Sequence, residues 1–186
     1  LTFDYHVVQE SATDLKIICV DLSGVSITNV DGNDLPTAFA FDTKLKVNVF
    51  TWNQAVDGDF GDAMKWTPQT APGPGSTALI TAAGKPYTVT TSNIISIAAI
   101  ATGKGAVLSS DHDFTVTEGT GAGANAGTIA LTGADLRVGD GTVTTFNNTG
   151  LVSLSNAGRN VVGDVTLAGT GKVMLSDNSA NAVTGD

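Results

Sequence analysis

With 186 residues, 41% of them hydrophobic but only 6% aromatic, the chain has apolar material for a core. Small β-formers must pack that core, which suits a narrow layered interior. Nine basic against eighteen acidic residues give a net charge of −9, which disfavours nucleic acid and anionic membrane surfaces as partners and leaves calcium or a neutral glycan as better fits.

Residues 1–49 carry apolar runs at Phe3 to Val8, Leu15 to Leu22, Val25 to Val30, Ala38 to Phe41 and Leu45 to Phe50. Each run is short and bounded by Asp, Asn, Gly or Ser, so strands are favoured and a small N-terminal β-unit is predicted. Within it Asn29-Val-Asp-Gly-Asn-Asp-Leu-Pro36 is a turn by composition, Asp31-Gly32 supplying left-handed geometry and Pro36 stopping the strand. Cys19 lies in an apolar run and reads as a small buried hydrophobe; with one cysteine there is no intrachain disulfide.

Residues 50–76 change character. Both tryptophans, Trp52 and Trp66, fall here beside Pro68, Pro72 and Pro74, which predicts an ordered junction instead of a flexible linker.

From Thr77 to Asp186 the chain is short strands and Gly or Asn turns. One glycine-led phrase returns four times: Gly105-Ala-Val-Leu-Ser-Ser, Gly127-Thr-Ile-Ala-Leu-Thr, Gly150-Leu-Val-Ser-Leu-Ser and Gly171-Lys-Val-Met-Leu-Ser. Its starts are 22, 23 and 21 residues apart (105 to 127, 127 to 150, 150 to 171), and Phe114-Thr-Val-Thr and Leu136-Arg-Val-Gly repeat in phase at 22. A period near 22 with two strands in phase predicts an all-β fold, a parallel β-solenoid (β-helix) over 77–186, in which inward Val, Ile, Leu and Ala meet their equivalents one coil up. Asn147-Asn148, Asn156, Asn160 and Asn178 are expected at turns, where asparagine tolerates the left-handed region and ladders between coils. Gly119-Thr-Gly-Ala-Gly-Ala-Asn-Ala-Gly127 has no Lys-Ser/Thr after it and opens no helix, so it reads as a loop between coils and not as a phosphate cradle.

Candidate chemistry is sparse. Asp57, Asp59 and Asp62 place three carboxylates within six residues, and Asn29, Asp31, Asn33 and Asp34 form a similar cluster. Each is either a solvated acidic turn or a set of oxygen ligands for calcium, without the full register of an EF-hand loop. Trp52 and Trp66 would either stack on sugar rings or plug the bare end of the first coil, and the cap is the reading favoured here. His6 and His112 lack metal-ligand spacing. Glu118, Asp135, Asp140, Asp164, Arg137 and Arg159 fall mainly at turns, with Arg137 beside Asp135 expected as a surface ion pair. No catalytic residues are assigned, and no enzyme is expected.

The segments Phe50-Thr-Trp-Asn, Gly58-Asp-Phe-Gly-Asp-Ala-Met-Lys-Trp66, Pro72-Gly-Pro-Gly-Ser-Thr-Ala-Leu-Ile80 and Gly84-Lys-Pro-Tyr-Thr-Val-Thr90 resemble a Trp-rich lead. Such a lead opens β-helical stretches in large secreted bacterial surface proteins of the autotransporter and adhesin type. In two places the chain departs from it: Phe60 stands where that lead usually has Trp, and Ser76-Thr77 where it has an acidic residue before Ala78. The resemblance implies a secreted, cell-surface location and a structural role, as a rod-like adhesin or surface-fibre segment. Head-to-tail self-association through the N-terminal strands is the sharper form of that expectation. A carbohydrate-binding or carbohydrate-processing β-helix module is the alternative. No apolar run reaches the roughly 18 residues of a membrane span, and the ends at Leu1 and Asp186, in mid-pattern, read as those of a piece of a longer or processed polypeptide.

Overall fold

The computed structural model describes residues 14–17, 41–46, 48–142, 144–156, 159–162 and 164–185. The chain divides into two units, Leu1–Val47 and Asn48–Asp186. In the first, β1 (Asp14–Ile17) and β2 (Phe41–Lys46) pair antiparallel, with a register irregularity between Leu15 and Lys16. The runs expected at Phe3 to Val8 and Val25 to Val30 lie outside the described residues, as do His6, Cys19 and the cluster of Asn29, Asp31, Asn33 and Asp34.

The second unit is a parallel β-solenoid of about four turns. Its lead contains β3 (Val49–Trp52), β4 (Gly58–Asp59), a three-residue 3₁₀ turn (Ala63–Lys65) and β5 (Trp66–Thr67). Then come β6 (Thr77–Ile80), β7 (Tyr87–Thr90), β8 (Ile95–Ile97), β9 (Ala99–Thr102), β10 (Ala106–Ser110), β11 (Phe114–Val116) and β12 (Thr128–Thr132). The remaining strands are β13 (Asp135–Val138), β14 (Thr144–Asn147), β15 (Leu151–Ser155), β16 (Arg159–Val162), β17 (Val165–Ala168), β18 (Lys172–Leu175) and β19 (Ala182–Gly185). They return to three walls: a six-stranded sheet β4-β7-β10-β12-β15-β18, a five-stranded sheet β8-β11-β13-β16-β19, and a third made of β5-β3-β6-β9 and the pair β14-β17. Stacked strands pair in parallel, whereas β3 and β5 form an antiparallel hairpin.

Alternation decides which side chains enter. In β10 the inward positions are Ala106, Leu108 and Ser110; in β12 they are Ile129 and Leu131; in β15 they are Val152 and Leu154. Burial follows from having a coil on both sides. Val152 and Leu154 are 1% and 0% exposed, but their register partners in β18, Val173 and Leu175, are 40% and 46% exposed.

Strand pairing corrects one detail of the repeat. Tyr87 pairs with Ala106, Ala106 leads in register to Gly127, and from there the column continues through Gly150 to Gly171. Gly105 therefore stands one residue before the glycine column. Its φ of +88° makes it a turn residue, and Ala106 holds the column position. The glycines of the column are required by close approach: a Cβ on Gly127 would lie 2.3 Å from the Ala106 carbonyl oxygen, and one on Gly150 would lie 2.1 Å from that of Gly127.

Two stretches differ from what their composition suggests. The apolar run Ile94 to Ala101 is split between two strands, because the chain turns a corner at Ala98, whose N–H donates to the Ser76 carbonyl at 2.8 Å. An apolar run conceals that corner, since Ala98 is itself 4% exposed. The glycine-rich stretch Gly119–Gly127 is part of the third wall. Its carbonyls at Gly119 and Ala124 accept from Ile100 and Thr102 of the coil below, while Thr120 and Asn125 N–H groups donate to Thr145 and Asn147 of the coil above. It also lies across the outer side of β9: a Cβ on Gly121 would sit 3.2 Å from that of Ala99, and one on Gly123 would sit 2.7 Å from that of Ala101. Only glycine and alanine fit against a strand this closely.

Gly150→Ala is expected to destabilise the solenoid by about 1–3 kcal/mol, the usual cost of overpacking, seen as a lower thermal midpoint by circular dichroism. Ala130→Ser, outward on β12, is expected to leave the midpoint unchanged.

Candidate functional site

Three features of the sequence take their place from the stacking of the coils. The first is a buried ladder of polar side chains. Thr102, at the end of β9, forms a bridge to Asn125, and Asn125 forms one to Asn148. Thr102 Oγ1 donates to Asn125 Oδ1 at 2.5 Å, and Asn125 Nδ2 donates to Asn148 Oδ1 at 2.8 Å and to the Leu151 carbonyl at 3.1 Å. Asn148 Nδ2 closes the series on the Lys172 carbonyl at 3.1 Å. The three residues are 2%, 0% and 8% exposed. Their partners are in adjacent coils, so the amides satisfy one another without water, the condition under which buried polar groups are tolerated. Each asparagine precedes a column glycine by two residues, as in Asn125-Ala-Gly127 and Asn148-Thr-Gly150, and the missing Cβ leaves room for the amide; a Cβ on Gly171 would meet Asn148 Cγ at 2.7 Å. Asn148 belongs to the expected ladder. Asn125 does not, although the Asn-x-Gly spacing marked it.

The second feature is the aromatic lead. Trp52 and Trp66 face each other across the β3-β5 hairpin with ring centroids 5.1 Å apart, edge to face. Phe60 packs on Trp66 at 5.0 Å and reaches Phe114 of the five-stranded wall at 5.8 Å. The indole N–H groups are satisfied by the Val56 and Phe60 carbonyls at 3.1 and 2.7 Å. At 1% and 0% exposure neither tryptophan offers a ring face to a sugar. Phe60, where the resembling lead carries Trp, is fully buried between Trp66 and Phe114. Ser76, in the place of the acidic residue, ties the turn through its Oγ, which accepts from Gly73 N at 3.3 Å.

Third, the three aspartates of the lead each accept a different donor of the chain. Asp57 Oδ1 takes the Thr88 N–H at 2.6 Å, Asp59 takes Gly61 N–H at 2.8 Å and the Ser92 hydroxyl, and Asp62 caps the 3₁₀ turn through Met64 N–H at 3.0 Å. Asp57 and Asp59 thereby tie the lead to the first complete coil. Among the described residues no group of three or more His, Cys, Asp or Glu side chains is placed to hold a metal ion.

Elsewhere polar chemistry is again spent between coils. Asp113 Oδ1 accepts from Asp135 N at 2.9 Å, and Arg137 binds Asp135 at 2.8 Å with the Asp135 side chain only 8% exposed, so the pair expected at the surface has one buried member. His112 Nδ1 lies 2.7 Å from Asp111 Oδ1 in the next corner. At Asp140, an exposed turn residue, hydrogen bonds from the Thr142 hydroxyl and N–H hold the carboxyl below its ordinary range. Glu118 and Asp164 are exposed at corners, and the side chain of Arg159 lies outside the described set.

Tyr87 heads the glycine column and is 3% exposed, with its hydroxyl lacking a hydrogen-bond partner among the described residues. Burial pushes the phenol above its ordinary value of 10.0, and outweighs the main chain at Ala82, which acts the other way. Among the described residues lie a polar groove of about 270 Å³ lined by Thr90, Thr91, Ser109, Ser110, Asp111 and Thr132, and a cavity of about 200 Å³ at the far coil lined by Phe146, Asn148, Leu167 and Val173 among others. In comparison with known proteins, no family model matches the chain, and neither a curated protein nor a solved structure does.

Asn125→Ala would leave the Thr102 hydroxyl without its acceptor and Asn148 Oδ1 without its donor, each costing about 1–3 kcal/mol, while Thr102 still accepts from Gly127 N–H and Asn148 Nδ2 still reaches the Lys172 carbonyl. Urea unfolding is expected to show that loss, and Asn148→Ala added to it should cost less than Asn148→Ala alone, because the two share a bond. Tyr87→Phe is expected to be about as stable as the parent at neutral pH, since the hydroxyl it removes is buried and meets no partner within good hydrogen-bond geometry beyond the nearby main chain at Ala82. The folded-state value of Tyr87 is raised, so the contribution of its neutral form is whole below the unfolded value near 10 and is lost as pH climbs through the folded one. The alkaline fall in stability should therefore be shallower in Tyr87→Phe, as measured by unfolding at successive pH values.

Proposed function

We propose that this chain is a structural segment of an extracellular rod, a bacterial adhesin or surface fibre whose solenoid supplies length and stiffness. The observation that carries this reading is the use of polar side chains along the stack. Thr102, Asn125 and Asn148, together with Asp57, Asp59 and Asp113, bond from one coil to the next. Stacking of this kind is the quasi-one-dimensional architecture of repeat proteins, in which stability accumulates between neighbours and the product is an extended body. Secretion and the cell surface enter through the resemblance of the Trp-rich lead.

Self-association head to tail extends the same reading. The exposed large apolar residues sit in the lead and beside the first coil (Val49, Val56, Met64 and Ile94) or in the far coils (Leu167, Val173, Met174, Leu175 and Val183). A sheet edge with apolar neighbours is a template for further strand pairing, and a heterologous contact of this sort propagates into filaments.

Negative-stain electron microscopy across a concentration series tests the proposal. Rods that lengthen with concentration are expected, and Val173→Asp with Leu175→Asp should hold them at the length of single molecules while circular dichroism stays unchanged. Compact particles of uniform, near-spherical outline at every concentration would overturn it.

A further inference from the structure

The five-stranded wall is bare along both of its edges. Its order is β8-β11-β13-β16-β19, so β8 pairs only with β11 and β19 only with β16. At the end where β8 lies, the other two walls finish in the two-residue β4 and in β5, which runs antiparallel on β3. Bare edges are templates for a further strand, and apolar side chains accompany these two: Ile94, next to β8, is 71% exposed and Val183, in β19, is 45% exposed.

The two edges complement each other. In a parallel pair a residue turns its N–H and its carbonyl toward one neighbouring strand, and the next residue turns both the other way. Ile95 N–H donates to the Asp113 carbonyl at 3.1 Å and the Ile97 carbonyl accepts from Thr117 N–H at 3.1 Å, so Ile95 and Ile97 face β11 and Ser96 faces outward. Among the described residues Ser96 has no main-chain partner on that side. The same alternation, carried through the registers of β11, β13 and β16, turns Thr184 of β19 toward β16 and leaves Val183 and Gly185 facing outward. A strand offering Val183 and Gly185 matches one offering Ser96. With Thr184 opposite Ser96, the Ser96 N–H meets the Val183 carbonyl and the Ser96 carbonyl meets the Gly185 N–H. That register also sets Val183 against Ile95, the two ends of one column through Phe114, Leu136 and Asn160. A slip of one residue would turn the apolar side chains out and misalign the donors.

We infer that copies of this chain join end to end by adding β19 of one to β8 of the next, so that the five-stranded wall runs on from molecule to molecule. The six-stranded wall brings opposite charges to the same two ends. Its outward column starts beside Asp57, which accepts the Thr88 N–H, and passes Thr88, Val107, Thr128 and Leu151 to Lys172. Among the described residues Lys172 has no ion pair, and Asp57 Oδ2 takes no hydrogen bond. When the coils continue in register across a junction, Lys172 of one copy stands over Asp57 of the next. Opposite charges at the two ends of one column fix polarity and register more than strength, because like ends repel. The contact is heterologous and does not close, so it propagates. This inference rests on the reading of the chain as a self-associating rod and names the strands that join.

Disulfide trapping of the full chain tests it. Ser96→Cys with Thr184→Cys, in a Cys19→Ser background, places one cysteine on each edge. Opposed residues of neighbouring strands lie about 4.8 Å apart, within the roughly 4.4–6.8 Å between Cα atoms that a disulfide spans. Oxidation is therefore expected to give a ladder of dimers, trimers and longer chains on non-reducing gels. Thr115→Cys with Thr184→Cys sets the first cysteine one strand further in and should give no ladder. Ser96→Pro removes an N–H with no main-chain partner in its own chain, a change that edge strands tolerate. It should weaken concentration-dependent association in sedimentation velocity by about tenfold or more, with circular dichroism unchanged. Should that variant fail to fold, Val183→Pro gives the same readout from the other strand. The inference is overturned by no ladder from the first pair, by an equal ladder from the Thr115→Cys pair, or by parent-like association of the proline variant. Rods that lengthen with concentration but give no ladder would overturn this junction alone, whereas compact particles at every concentration would overturn the rod itself.

Discussion

When one coil is laid on another in parallel register, every inward side chain sits over its counterpart, and there is no lateral freedom to relieve a clash or fill a gap. The glycine column at 127, 150 and 171 and the amides of Asn125 and Asn148 are one solution to that constraint. Where the main chains of successive coils approach within reach of a Cβ, glycine is required, and beside it lies the polar side chain of the coil below, Thr102 at Gly127 and Asn148 at Gly171. The amide has both a donor and an acceptor, so it bonds to the coil above and to the one below. A hydroxyl at Thr102 begins the series because a starting member needs only to donate upward. The three walls, their corners and the burial of Leu108, Ile129 and Val152 all depend on this spacing being held.

The aromatic lead solves the complementary problem at one end of the stack. A coil with a neighbour on one side only leaves half of its inward side chains without contact, as Val173 and Leu175 show in the far coil. Trp52, Trp66 and Phe60 supply large apolar surface where the first coils begin, in edge-to-face contacts that suit aromatic quadrupoles. Satisfying both indole N–H groups from carbonyls of the same lead means that the plug brings its own hydrogen-bond partners.

Much of the solenoid was legible because its physics repeats. A glycine-led phrase near every 22 residues reports strand, turn and stack together, and the inward alternation of β10, β12 and β15 can be read directly from Leu108, Ile129 and Val152. What escaped was where repetition and pairing part company. Gly105 resembles the column glycines in its phrase but serves a turn, because strand register counts main-chain partners and not letters. The corner at Ala98 is hidden since an inward-facing corner uses the same small apolar residue as a strand. Asn125 lay inside a glycine-rich stretch that composition assigns to a loop, and its role emerges only from contacts in the coils on either side. The candidate sites were less legible still: single clusters such as Asp57, Asp59 and Asp62 have the same sequence whether they bind an ion or the chain's own N–H groups.

The register steps along the six-stranded wall from β7 onward, from 19 residues between β7 and β10 to 23 between β12 and β15, carry a consequence for how such a body changes over time. Wall strands keep their length and direction while the corners absorb the difference. A corner is thus a place where residues are gained or lost without disturbing the strand stacking of the walls. Evolution can remodel the surface chemistry of one edge while the geometry of the shaft stays constant, and the same freedom makes these edges natural points for grafting a foreign loop at a fixed height along a rigid axis.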